Sequence, residues 1–131
     1  MIGQMGLALL VLLVAGGAQA DVVPETAVVG SARVTLLPLQ FLTPEELAAL
    51  RLVLTNEQAL QLFVPGTGGF AALAVNPEDG FIRNGDVVKS AVALAELPDA
   101  ATAAAAAVGA CELAKIAAEP CVVVLTVEPA Q

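Results

Sequence analysis

The chain has 131 residues, of which thirteen are acidic and five basic, so its formal net charge at pH 7 is −8. This charge excludes nucleic acid, whose phosphates need a basic surface, and stable adhesion to an anionic membrane. Histidine, tyrosine and tryptophan are missing, which removes the commonest general base and any histidine-activated nucleophile.

The first twenty residues have the layout of a secretory signal peptide. An apolar run from Leu7 to Ala15 is followed by small residues at Ala18 and Ala20, and the composition changes at Asp21. The alternative is an uncleaved helix that tethers the domain to a membrane, but an apolar stretch of about 14 residues is shorter than the ~20 that span a bilayer. We therefore expect cleavage after Ala20, a periplasmic or secreted protein, and membrane contact only during export.

The rest of the chain, residues 21–131, has the length of one small exported domain. Residues 21–42 contain proline and glycine without a clear period, which predicts a leader or an edge strand. Residues 43–64 are predicted to be helical, and 69–131 to be the core α+β unit.

The helical segment has a well-marked start. Thr43 can cap a helix that begins at Pro44, and Glu46 completes a capping box. Because Asn56 can cap a further turn and the apolar spacing continues beyond it, the segment is either one bent helix or two.

Strands and an alanine-rich helix are predicted in the C-terminal unit. The strands are expected at Phe70–Val75, Val87–Leu94 and Val122–Val127. Asp99 can cap the helix, and Leu113 and Ile116 are expected to give it an apolar face. The order of elements predicts an α+β fold, in which a small mixed sheet packs with the N-terminal helix and the alanine-rich helix.

Cys111 and Cys121 are the only cysteines in the chain. An even count in an exported protein predicts a disulfide, with two buried free thiols as the alternative. Bridged Cα atoms lie about 5.5 Å apart, whereas a helix rises about 1.5 Å per residue. A bridge therefore requires the helix to stop near Lys115–Ala117 or to turn back tightly.

The carboxylates offer no specific catalytic constellation. Glu78, Asp79 and Asp86 lie in a glycine-containing turn segment and are weak candidates for a cation site, but their spacing fails the EF-hand pattern. The alternative interpretation of this segment is a pair of hairpin turns. We expect no catalytic residue, cofactor or dedicated metal site, with a weak carboxylate- or cation-dependent hydrolase as the alternative.

Two segments carry a resemblance to known proteins. FAALAVNPEDG at Phe70–Gly80, and the alanine-rich helix with Cys111 followed by PCVVV up to Val124, resemble small exported alphaproteobacterial proteins. These are similar to a wider bacterial family with an AIA-x-S-P-x-x-G turn, an alanine-rich helix ending in cysteine and a cysteine-led valine strand. That family has no established activity, so the resemblance implies the fold of the last 60 or so residues and no chemistry.

These observations favour a non-catalytic exported domain with a binding or envelope-associated role. Its partner would be a protein or a small molecule, which the sequence does not identify.

Overall fold

The computed structural model describes residues 22–64 and 68–130. The predicted signal peptide, with Ala18, Ala20 and Asp21, lies outside the described residues. The strands are β1 (Glu25–Val29), β2 (Ala32–Leu36), β3 (Phe70–Val75), β4 (Ile82–Arg83), β5 (Asp86–Val87), β6 (Val92–Leu97) and β7 (Val122–Pro129). The helices are α1 (Pro44–Val53), α2 (Glu57–Phe63) and α3 (Ala100–Ala114).

The predicted α+β class is confirmed, although the described strands pair in antiparallel fashion throughout and not in the mixed sheet that the sequence predicted. Five strands form an antiparallel sheet in the order β1-β2-β7-β3-β6, and β4 and β5 form a separate hairpin. The valine-rich strand β7 lies in the middle, between β2 and β3, where a β-branched strand has apolar neighbours on both faces. Of the two alternatives predicted for residues 21–42, an edge strand is present as β1. The same segment also forms β2, which is paired on both sides and is therefore not an edge strand.

One face of the sheet is covered by α1 and α2. The predicted capping box is present, because Thr43 Oγ1 accepts the Glu46 N–H at 3.1 Å and Glu46 Oε1 accepts the Thr43 N–H at 2.8 Å. Asn56 caps α2 in the same way, by accepting the Ala59 N–H at 3.0 Å. The segment is therefore two short helices, and their buried residues share one apolar core with this face.

The other face carries α3, which packs on β3, β6 and β7. The prediction that Leu113 and Ile116 form its apolar face is wrong, because their exposed fractions are 91% and 93%. The buried stripe is Ala103, Ala107 and Cys111, which repeat every four residues. Their small side chains let the helix approach the equally small residues of β3, whereas a leucine there would hold the helix away from the sheet.

The single strand predicted at Val87–Leu94 is also wrong. Asn84 and Gly85 both have positive φ, at 57° and 82°, so the chain forms a tight hairpin between β4 and β5. After β5 the Val88 N–H donates to the Phe81 carbonyl at 2.8 Å, and the Ala91 N–H donates to the Val88 carbonyl at 3.0 Å. This turn separates β5 from β6, so β6 begins five residues later than predicted, at Val92.

Candidate functional site

The two cysteines form the predicted disulfide, with their Cα atoms 6.2 Å apart. α3 ends at Ala114, and Lys115 already has an extended backbone. The chain thus leaves the helix just before the predicted range, which lets Cys121 return to Cys111. Both cysteines are buried, so neither sulfur offers a free nucleophile or metal ligand.

Asp79, a candidate cation ligand, anchors the loop that follows α3. Its carboxylate accepts the Ile116 N–H at 2.8 Å, the Ala117 N–H at 3.1 Å and the Ser90 hydroxyl at 3.2 Å. The hydrogen bond from Ile116, followed by those from Ala117 and Ser90, holds the pKa of Asp79 below its ordinary value. These donors give Asp79 a structural role in closing the loop.

The other two candidates, Glu78 and Asp86, are exposed. Within residues 22–64 and 68–130, no group of three carboxylate, cysteine or histidine side chains is arranged to hold a metal ion. The segment therefore consists of a turn and a hairpin, the alternative that the sequence left open.

The loop from Lys115 to Cys121 is held by further side chains. Glu112 Oε2 accepts the Cys121 N–H at 2.7 Å, and the Lys115 ammonium donates to the Glu119 carbonyl at 3.0 Å. The buried Asn76 amide donates to the same carbonyl at 2.5 Å. The ion pair with Lys115 and the hydrogen bond from Cys121 lower the pKa of Glu112. The disulfide is thus one of several links that close this loop.

Glu46 is a fully buried carboxylate with a second structural role that its sequence position does not reveal. Besides capping α1, its Oε2 accepts the N–H groups of Phe81 at 2.7 Å and Ile82 at 2.8 Å, and it pairs with Arg83 at 2.5 Å. Burial raises the pKa of Glu46, but the hydrogen bonds and the Arg83 charge outweigh it and leave the pKa below 4.5. The contacts with Phe81, Ile82 and Arg83 hold α1 against β4 and the residue that precedes it.

A cleft of about 440 Å³ lies between α2 and the end of the sheet. Its buried floor is apolar and comprises Val29, Leu60, Val64, Ala71 and Val127. Its exposed rim includes Ser31, Glu57, Gln61, Gly68, Gly69 and Pro129, while Ala32, Ala95 and Glu128 are half-buried. We refer to this space as the α2 cleft.

The two carboxylates of the α2 cleft differ in their surroundings. Glu128 is paired with Arg33 at 3.4 Å. The Glu57 carboxylate lies against Gly30 in the β1–β2 turn, so closely that a β-carbon there would be 2.5 Å from Oε2. Gly30 is suited to this position because it also has a positive φ of 60°. No hydrogen bond or ion pair to the Glu57 carboxylate is present among the described residues.

The sequence contained little sign of the α2 cleft. Its residues come from α2, from the sheet face that α1 and α2 cover, and from the β1–β2 turn. These segments lie far apart in the chain. The glycines at Gly68 and Gly69 are visible in the sequence, where they indicate only a flexible connection.

Comparisons of the chain with protein-family models, curated proteins and solved structures find no match. The resemblance to small exported proteins stays a prediction.

Proposed function

We propose that the chain is a non-catalytic exported domain that binds a small, largely apolar molecule in the α2 cleft. The observation that carries this proposal is the cleft itself. Its volume of about 440 Å³ lies within the roughly 300–1,000 Å³ typical of ligand sites, and an apolar floor with a few polar rim groups is their usual composition.

The energetics of an open apolar floor support a ligand. Protein interiors are close-packed and contain few voids larger than a water molecule. Each Å² of apolar surface that a ligand covers contributes roughly 25 cal/mol. A ligand therefore gains affinity from the apolar surface that stays accessible in the cleft, to which the half-buried Ala32 and Ala95 contribute beside the edges of the buried floor residues.

The remaining chemistry favours binding over catalysis. The carboxylates of Glu46, Asp79 and Glu112 accept backbone N–H groups, which gives them structural roles. The disulfide supports an oxidising compartment such as the periplasm or the extracellular space. No described helix has the length and apolar character needed to cross a bilayer.

Chemical-shift mapping with a library of small aromatic and aliphatic compounds tests the proposal. We expect binders to shift the amide resonances of Val29, Leu60 and Val127. Ala95→Leu, which adds volume at the cleft, should abolish these shifts. Ala105→Leu, at an exposed position of α3, is the matched control and should retain them.

Two results would overturn the proposal: binders whose shifts lie outside the α2 cleft, or unchanged binding to Ala95→Leu. The export part has its own test, which is the intact mass of the protein recovered from the periplasm. A mass that begins at Met1 contradicts cleavage after Ala20.

A further inference from the structure

We infer that the ligand of the α2 cleft is an organic cation, an apolar molecule that carries a protonated amine placed beside Glu57. This inference rests on the proposed function, because it assigns the ligand class of the same cleft.

The position of Glu57 is fixed by the start of α2. Asn56 caps the helix, so Glu57 is its first residue and Gln61 follows one turn later on the same side. Both side chains line the cleft, opposite the apolar residues of β3 and β7. An ammonium group at the Glu57 carboxylate can also donate a hydrogen bond to the Gln61 amide oxygen while the apolar part of the ligand covers the floor.

No basic side chain pairs with Glu57 in the part of the chain that the structure describes. The chain has five lysine and arginine residues, and four of them are in ion pairs with other carboxylates. These pairs are Arg33–Glu128, Arg51–Glu25, Arg83–Glu46 and Lys115–Glu112. The fifth, Lys89, does not line the cleft. Glu57 therefore lines the cleft without an ion-pair partner among the described residues, which leaves its carboxylate available to a cationic ligand.

The same arrangement argues against a metal ion and against an anion. Calcium takes 6–8 oxygen ligands and magnesium near-octahedral coordination, whereas the second carboxylate of the cleft, Glu128, is already paired with Arg33. A carboxylate or phosphate ligand would be repelled by Glu57 and by the net charge of −8. An ammonium group needs only one carboxylate and suits an apolar cleft with one charged side chain.

Three probes of one shape separate charge from apolar contact: phenylbutylamine, phenylbutanol and phenylbutyrate, each titrated into the folded protein at neutral pH and low salt. We expect the amine to bind about two- to fivefold more tightly than the alcohol, the range of one exposed ion pair, and the acid to bind most weakly. Added salt should reduce the preference for the amine.

Glu57→Gln should lower the affinity for the amine to that for the alcohol and leave the alcohol unchanged. Glu78→Gln removes the same charge from an exposed turn outside the cleft and should retain the preference. Equal binding of amine and alcohol, both mapped to the cleft, overturns the ammonium inference while the proposed function stands. A preference that survives Glu57→Gln also overturns it, and failure of all three probes together with the fragment library overturns both proposals.

Discussion

Replacing Glu46 by glutamine tests whether one buried carboxylate holds the helical layer to the rest of the fold. Glutamine has the same shape but one acceptor oxygen, so if that oxygen stays with Phe81 and Ile82, the amide nitrogen faces the Thr43 N–H. A buried donor left without a partner costs about 1–3 kcal/mol, and weakening two charge-assisted bonds costs about another 1–2 kcal/mol. The Arg83 side chain is 40% exposed and can be rehydrated, so its charge adds little. We expect a loss of about 3 kcal/mol in the free energy of unfolding.

Urea unfolding followed by far-ultraviolet circular dichroism measures this loss, since the chain has no tryptophan or tyrosine for fluorescence. Glu45→Gln is the control, because it removes the same charge from the adjacent, exposed position and should change stability by less than about 0.5 kcal/mol. The pKa of Glu46 is lowered in the native state. The carboxylate therefore stabilises the fold above pH 4.5, and this contribution disappears as the pH falls through the native pKa. The difference between wild type and Glu46→Gln should therefore shrink below pH 4.5. Equal losses for the two variants, or a difference that does not change with pH, would refute the buried network.

Three further predictions concern the rest of the fold. Replacing both Cys111 and Cys121 by serine should lower the free energy of unfolding by at most about 3 kcal/mol in urea melts. The double variant should retain the native circular dichroism, because Asp79 holds the same loop. Loss of the native spectrum would contradict this prediction. Ala107→Leu should lower the free energy of unfolding by about 1–3 kcal/mol, because the larger side chain overpacks against the sheet. The control Ala105→Leu should leave the free energy of unfolding nearly unchanged. Equal urea midpoints for the two variants would show that α3 does not pack closely on the sheet. The free energy of unfolding in urea should be highest above pH 4.5 and fall as the pH drops. Native interactions lower the pKa of several carboxylates, and protonation removes the stabilisation that these interactions provide. A free energy of unfolding that stays constant below pH 4.5 would contradict the pKa directions. These carboxylates are Glu25, Glu46, Asp79, Asp99 and Glu112.

The elements that the sequence predicted correctly are those encoded by adjacent residues. The capping box at Thr43 and Glu46, the uncharged strand at Val122–Val127 and the end of α3 depend on neighbours in the chain or on the length of the disulfide loop. The face of α3 depends on what it packs against. Large apolar residues such as Leu113 favour burial in general, but β3 presents alanines to this helix, and only a stripe of small residues can lie close to them.

The α2 cleft was beyond sequence reasoning for a similar reason, since its floor and rim meet only after the sheet has formed. Composition showed an excess of carboxylates but not which of them lack a cation. That distinction follows from the ion pairs of the described residues. Four of the five basic side chains pair with other carboxylates there, and none of these pairs includes Glu57. An acidic surface contributes to solubility wherever its charges lie. Under the proposed function, a carboxylate beside an apolar floor selects among ligands, so the same net charge would serve solubility over most of the surface and recognition at Glu57.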